Sequence, residues 1–232
     1  MPFFRVNSRN IYFTHIPKCG GTTVERTLHA SGLDVNFLDE RFGLHETDPW
    51  YRSSPQHLTF SDRERLMHSG FFDYDFAIVR DPVRRFLSAF NHHRRAIGVF
   101  VSFESFLSQI EKRNDAHDDY FGYRYDNHFV PAARFCAPET EVFALEEGMD
   151  ACMAKVSEKI GITVEAIHSD NQRDYAFTKT GTPLRKALKQ AFASDSPKIS
   201  DLSESQLARV ETLYAEDYER LPFYKRATTG EG

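Results

Sequence analysis

The chain has 232 residues, 41% of them hydrophobic and 21 of them Phe, which suits one globular domain. At this size, burial of roughly 70% of the unfolded surface is expected. A formal net charge of −5 at pH 7 argues against a nucleic-acid-binding surface, so any cationic site must be local. Met1 to Arg9 lacks the apolar core of a signal peptide, and no run approaches the ~18 apolar residues of a membrane span; the expectation is a soluble, cytoplasmic protein with no membrane partner.

Asn10 to Leu28 reads as a strand, a glycine turn and the start of a helix. Ile11, Tyr12, Phe13 and Ile16 form a mostly apolar run, which predicts a strand buried on both faces. Pro17 ends it. Gly20 and Gly21 allow a tight backbone turn, and Thr22 and Thr23 offer N-cap chemistry ahead of Val24 and Leu28. A strand, turn and helix N-terminus of this kind presents free backbone N–H groups to an anion, phosphate above all, and Lys18 adds a cation. The ATP-binding loop G-x-x-x-x-G-K-[ST] places its lysine after the glycines, whereas Lys18 precedes them, which disfavours a nucleotide kinase. Cys19, at a helix N-terminus beside a lysine, is a candidate for a lowered pKa.

Further along, Leu33 to Leu38 alternates as a short strand and Asp39 to Pro55 reads as a loop. Ser61 with Glu64 forms a capping-box pattern that opens a helix. Phe71 to Val79 is a second buried strand, and Asp81-Pro82 turns it into a helix with proline near the first position. On that helix Val83, Phe86, Ala89 and Phe90 make the apolar face, while Arg84, Arg85, His92, Arg94 and Arg95 read as a mostly solvated one. Phe103 to Ile110 is a helix; Asn114 to Tyr125 is a polar, aromatic loop suited either to stacking on sugar rings or to packing. Glu141 to Leu145 reads as a strand, Met149 to Ile160 as a helix stopped by Gly161, and Asp170 to Thr182 as a polar connection. Pro183 to Phe192 and Ser203 to Arg220 read as amphipathic helices, the latter opened by a Ser203/Gln206 capping box. Thr228 to Gly232 is a frayed tail, leaving residues 1–227 as the domain. Cys19, Cys136 and Cys152 cannot all pair and show no metal spacing, so reduced thiols and no metal are expected. The alternation predicts an α/β fold, a mainly parallel central sheet flanked by helices, with ligands at the carboxyl ends of the strands.

The run HIPKCGGTT after a strand resembles the phosphosulfate-binding loop of sulfotransferases, particularly the carbohydrate branch that includes the heparan sulfate 2-O- and 6-O-enzymes. A second likeness, in the family's order, lies in FAIVRDPVRRFLSAF. Weaker likeness continues through Asn127 to Pro131 and LYAEDYERLPFY. The resemblance implies a P-loop-like sulfotransferase fold and transfer of a sulfuryl group from 3′-phosphoadenosine 5′-phosphosulfate (PAPS) to a hydroxyl of a carbohydrate or small metabolite. It implies that Lys18, Cys19, Gly20, Gly21, Thr22 and Thr23 hold the 5′-phosphosulfate, and that Arg80 and Ser88 read the 3′-phosphate.

By analogy with phosphoryl transfer, positioning and cationic stabilisation dominate such a reaction, with Lys18 on the leaving bridging oxygen and no metal required. His57 falls between the two motifs, where heparan-type sulfotransferases place a catalytic histidine. The chemistry wants a base there, because a hydroxyl is a poor nucleophile and an imidazole near pKa ~6.5 can take its proton. His15, His92, His93 and His128 read as structural, with His15 and Glu25 the next candidates for the base. The animal carbohydrate enzymes are membrane-anchored Golgi proteins, a departure that leaves their acceptors open for this chain. Two other readings stand beside this one: a P-loop-like nucleotide-dependent kinase, and a non-catalytic phosphonucleotide-binding module.

Overall fold

The computed structural model describes residues 2–39, 42, 53–68, 70–97, 101–115, 125–167 and 197–221. It begins with a hairpin that the sequence reading missed. β1 (Phe3–Val6) pairs antiparallel with β2 (Arg9–Thr14) through Asn7 and Ser8, whose φ values of 50° and 64° make the two-residue turn that matches strand twist. From β2 the chain passes through the glycine turn into α1 (Gly21–Ala30), then a short 3₁₀ turn (Pro55–His57) and α2 (Phe60–Leu66). β3 (Tyr74–Val79) follows, parallel to β2, and leads into α3 (Pro82–Ile97) and α4 (Phe103–Asp115). β4 (Glu141–Ala144) pairs parallel with β3 and precedes α5 (Met149–Ile160); α6 (Glu204–Leu213) and α7 (Ala215–Arg220) come last. The sheet order is β1-β2-β3-β4, so the carboxyl ends of the three parallel strands lie along one edge.

Period-2 alternation sorts the core. Ile11, Phe13, Phe76 and Ile78 face α1 and α5 and pack with Val24, Leu28, Met153 and Val156. Ala77 and Val79 face the other way, onto Ile16, Phe135 and Leu221. The strand is therefore covered on both faces, as the apolar run predicted. α3, α4 and α6 form a second cluster around Phe86, Phe90, Phe106, Phe129 and Tyr214. On the Tyr12 side of the sheet a buried polar knot replaces hydrocarbon: Asp75 accepts from Thr14 Oγ1 (2.7 Å), Thr140 Oγ1 (2.9 Å) and Arg63 (2.5 Å), and Arg63 lies 4.8 Å over the Tyr12 ring. Every oxygen of that buried carboxylate has a partner.

Local expectations fared unevenly. α5 runs as read and stops at Gly161, whose φ of 76° glycine adopts without the strain a Cβ would bring. The Ser203/Gln206 box opens α6, but the final helix breaks at the buried Tyr214. α2 is capped by Thr59 and Asp62 and not by Ser61 and Glu64, two residues earlier than read. Leu33 to Leu38 forms no strand; a single bridge joins Asn36 to Phe3, and Phe37 sits at φ 62°. The connection 170–182, the helix at 183–192, the tail and most of the loops 39–55 and 114–125 lie outside the described residues. Among the described residues, no helix is long and apolar enough to cross a membrane.

Candidate active site

The glycine turn delivers the backbone geometry its sequence promised, with one correction to its cap. Lys18 and Gly20 both adopt left-handed conformations, φ 67° and 85°, and α1 starts at Gly21. Gly20 is the N-cap, with no side-chain hydrogen bond, so Thr22 and Thr23 lie inside the first turn and do not cap it. No acidic residue occupies that turn. The positive end of α1 is thus left to an incoming anion.

Gly21 is required for a different reason. A Cβ there would fall 1.9 Å from His15 Nε2, so the ring fills the space a side chain would take. That ring is fixed from its other nitrogen, His15 Nδ1 donating to Glu25 Oε1 at 2.6 Å across one turn of α1. Burial holds His15 below the ordinary imidazole range despite the carboxylate beside it. It is a neutral buttress for the turn.

Cys19 departs from expectation. Its side chain is 1% exposed, packs into the core beside Ile16 and contacts the Pro17 carbonyl at 3.7 Å. Burial pushes the thiol up to about 12, against the opposing pull of Arg85 and Arg80, so the lowered pKa suggested by its position is overturned. Cys136 and Cys152 are buried too, and none of the three is paired.

Arg80 ends β3 beside this turn, half-buried, and its guanidinium reaches the Lys18 carbonyl at 3.5 Å. The two motifs therefore meet at the strand ends. Asp81 caps α3 by accepting from the Arg84 N–H (2.8 Å), with Pro82 as the first helical residue, as read. Ser88 is half-buried on α3, and no hydrogen bond joins it to Arg80.

His57 is the most fully organised of the candidates. It closes the short 3₁₀ turn and is buried, and its Nδ1 lies 2.7 Å from Asp126 Oδ2. The same carboxylate accepts from Ser54 N–H (2.6 Å) and Ser54 Oγ (2.9 Å). Burial would raise Asp126, but the His57 charge and these hydrogen bonds outweigh it, and the group sits below the usual carboxylate range. An ionised carboxylate can only accept, so in the neutral form of His57 the proton sits on Nδ1 and the lone pair on Nε2. Asn127 completes the arrangement by donating to the His57 carbonyl at 2.9 Å. Asp126 and Asn127 both adopt left-handed backbone, φ 51° and 59°, which Asp and Asn tolerate better than other residues with a Cβ.

Around His57 stand four more histidines. His15 and His128 pack edge-on against His57, at 4.7 and 5.0 Å between ring centroids, and His93 Nε2 lies 2.9 Å from His128 Nδ1. Burial is the main cause that lowers His93 and His128; Lys18 acts on both and on the exposed His92, which sets its charge on this side of the site. His93 is pushed down to about 4. Rings read as structural thus line the candidate base.

The segment that carries Asp126 and His128 is held by a residue misread as solvated. Arg85 is fully buried, donates to the carbonyls of His128 (3.3 Å) and Val130, and stacks 5.2 Å over Tyr214, whose hydroxyl donates to the Phe129 carbonyl at 3.0 Å. Asp217, buried near Arg85, accepts from the Ala133 N–H at 2.8 Å.

Such a site, a glycine turn with a lysine, an arginine at the next strand end and a carboxylate-held imidazole, draws on residues from Lys18 to Asp126. The model of the sulfotransferase family matches residues 1–224. The chain belongs to the sulfotransferase family. Neither a curated protein nor a solved structure matches it. Membership makes this sulfotransferase a transferase of sulfuryl groups with a hydroxyl acceptor, and its α/β sheet is consistent with the family's fold.

Proposed function

We propose that this sulfotransferase moves a sulfuryl group from 3′-phosphoadenosine 5′-phosphosulfate to a hydroxyl of a carbohydrate or small metabolite, with His57 as general base. The observation that carries the reading is the His57–Asp126 pair, which sets one imidazole nitrogen free as an acceptor beside the glycine turn. A non-catalytic binding module has no use for a base oriented in this way.

The residues present fit an adenosine donor with phosphate at both ends. The uncapped α1 N-terminus and the absence of acidic groups in its first turn favour an anion at the 5′ side. In this reading Lys18, Gly20, Gly21, Thr22, Thr23 and the Cys19 backbone hold that side; Arg80 and Ser88 take the 3′-phosphate. Lys18 places positive charge where the leaving oxygen gains negative charge. His57 Nε2 takes the acceptor proton as the new S–O bond forms, and Asp126 stabilises the resulting imidazolium.

Calorimetry with adenosine 3′,5′-bisphosphate, set against ATP with magnesium, tests the donor. Binding of the bisphosphate alone is expected; preference for magnesium ATP would replace this reading with a kinase. Mass spectrometry of metabolites that gain a sulfate on incubation with enzyme and donor then identifies the acceptor.

A further inference from the structure

His92, His93 and His128 each offer a ring nitrogen, and these atoms lie within 4.8 Å of one another. We propose that the three form a site for a divalent transition metal of the zinc class, next to the base and outside the sulfuryl-transfer chemistry. For His93 and His128 the spacing is nearly that of a first coordination shell, and His92 stands within 4.8 Å of both. Zinc binds imidazole nitrogens at ~2.0–2.1 Å, which in a tetrahedral site sets them about 3.3 Å apart. His93 Nε2 and His128 Nδ1 are 2.9 Å apart and share a single proton, so a metal replaces that proton with a separation of about 0.4 Å more.

One ligand already has the outer partner that metal-bound histidines need, and a second has its backbone held. His93 also hydrogen-bonds the Tyr125 backbone, fixing its ring, and Arg85 holds the His128 backbone through its carbonyl. His92 is exposed, which gives the ion a path and leaves coordination positions for water. Two charges bear on the site: Lys18 opposes a cation, and the Asp126 carboxylate favours one. Soft nitrogen donors without a carboxylate among them select zinc, copper or nickel over magnesium or calcium. A second grouping, His57, Asp126 and His128, shares one ligand, but its carboxylate is already bonded to His57 at 2.7 Å, and a metal there would break the orientation of the base.

The test is a calorimetric titration of the chelator-treated full chain with zinc chloride at neutral pH, followed by cobalt substitution and visible absorption. One ion per chain is expected, with tetrahedral cobalt bands. His93→Ala is expected to weaken binding at least about tenfold, the low end of the effect of losing even an outer partner. His92→Ala, at an exposed position, is expected to do the same and guards against misfolding of the inner variants. His57→Ala is expected to leave zinc affinity unchanged. No stoichiometric uptake, or uptake that survives both His92→Ala and His93→Ala, overturns the proposal. Loss on His57→Ala alone overturns it in favour of the His57–Asp126 grouping.

Discussion

His57 and Asp126 stand sixty-nine positions apart in the chain and meet at 2.7 Å, the carboxylate itself tied to the backbone and hydroxyl of Ser54. Three groups from two segments fix one proton. His57→Ala is expected to lower kcat by roughly 10²- to 10⁴-fold with donor affinity nearly unchanged. Asp126→Asn, which retains the imidazole and loses its charged acceptor, is expected to cost part of that factor and again spare donor affinity. Steady-state kinetics with calorimetric donor titration separates the two effects; full activity in a folded His57→Ala protein moves the base elsewhere.

Gly21 and His15 make a close approach that a double-mutant cycle measures. Gly21→Ala alone is expected to destabilise by about 1–3 kcal/mol, the range for overpacking, although alanine is the better helix former. With His15→Ala in the same chain the penalty should shrink, giving a coupling of about 0.5–3 kcal/mol. Urea denaturation of the four proteins supplies the cycle. Additive effects would mean that the ring is not what demands glycine.

Arg80→Ala bears on discrimination between adenosine nucleotides. A hydrogen bond to a charged group is worth about 1.5–3 kcal/mol, so adenosine 3′,5′-bisphosphate is expected to bind about 10- to 100-fold more weakly. Adenosine 5′-monophosphate, with no 3′-phosphate to lose, should change little. Equal losses for both would reassign Arg80 to the 5′ side, near the Lys18 carbonyl that it already reaches.

Stability should fall as pH falls below about 6.5, the unfolded imidazole value. Burial lowers His15, His93 and His128 in the folded protein, so between about 6.5 and their folded values the unfolded chain binds protons that the folded chain does not. The unfolded state is thereby favoured. Each such histidine adds at most about 1.4 kcal/mol per pH unit, or about 4 for three, and the loss from His93 ends near its folded value of about 4. Urea midpoints measured across this range should slope accordingly, and a flat profile would show that these rings titrate normally.

What could be read in advance was the chemistry that lies close together along the chain. The strand, glycine turn and lysine occupy one stretch, and the Arg-Asp-Pro element is equally local, so both strand ends were legible. Asp126 was not. Its partnership with His57 depends on a left-handed pair at Asp126 and Asn127 and on anchors from α3 and Tyr214, none of which leaves a periodic trace. Arg85 was misplaced because helical spacing puts it beside the apolar face, and only the carbonyls of His128 and Val130 explain its burial. The alternation at Leu33 to Leu38 was real, yet one bridge to Phe3 is all the pairing it finds. β1 escaped because four residues give too short a pattern.

α3 ties the two halves of the site to one rod. Arg80 stands two residues before it, at the end of β3 and against the Lys18 carbonyl, and Arg85 lies in its first turn, clasping the backbone that presents Asp126 and His128. A tilt of this sixteen-residue helix moves the Arg85 clasp and bears on Arg80 through the single intervening residue, Asp81. In the proposed reading, alignment of the nucleotide and alignment of the base both depend on this one part, and a substitution on the buried face of α3 is expected to reach both.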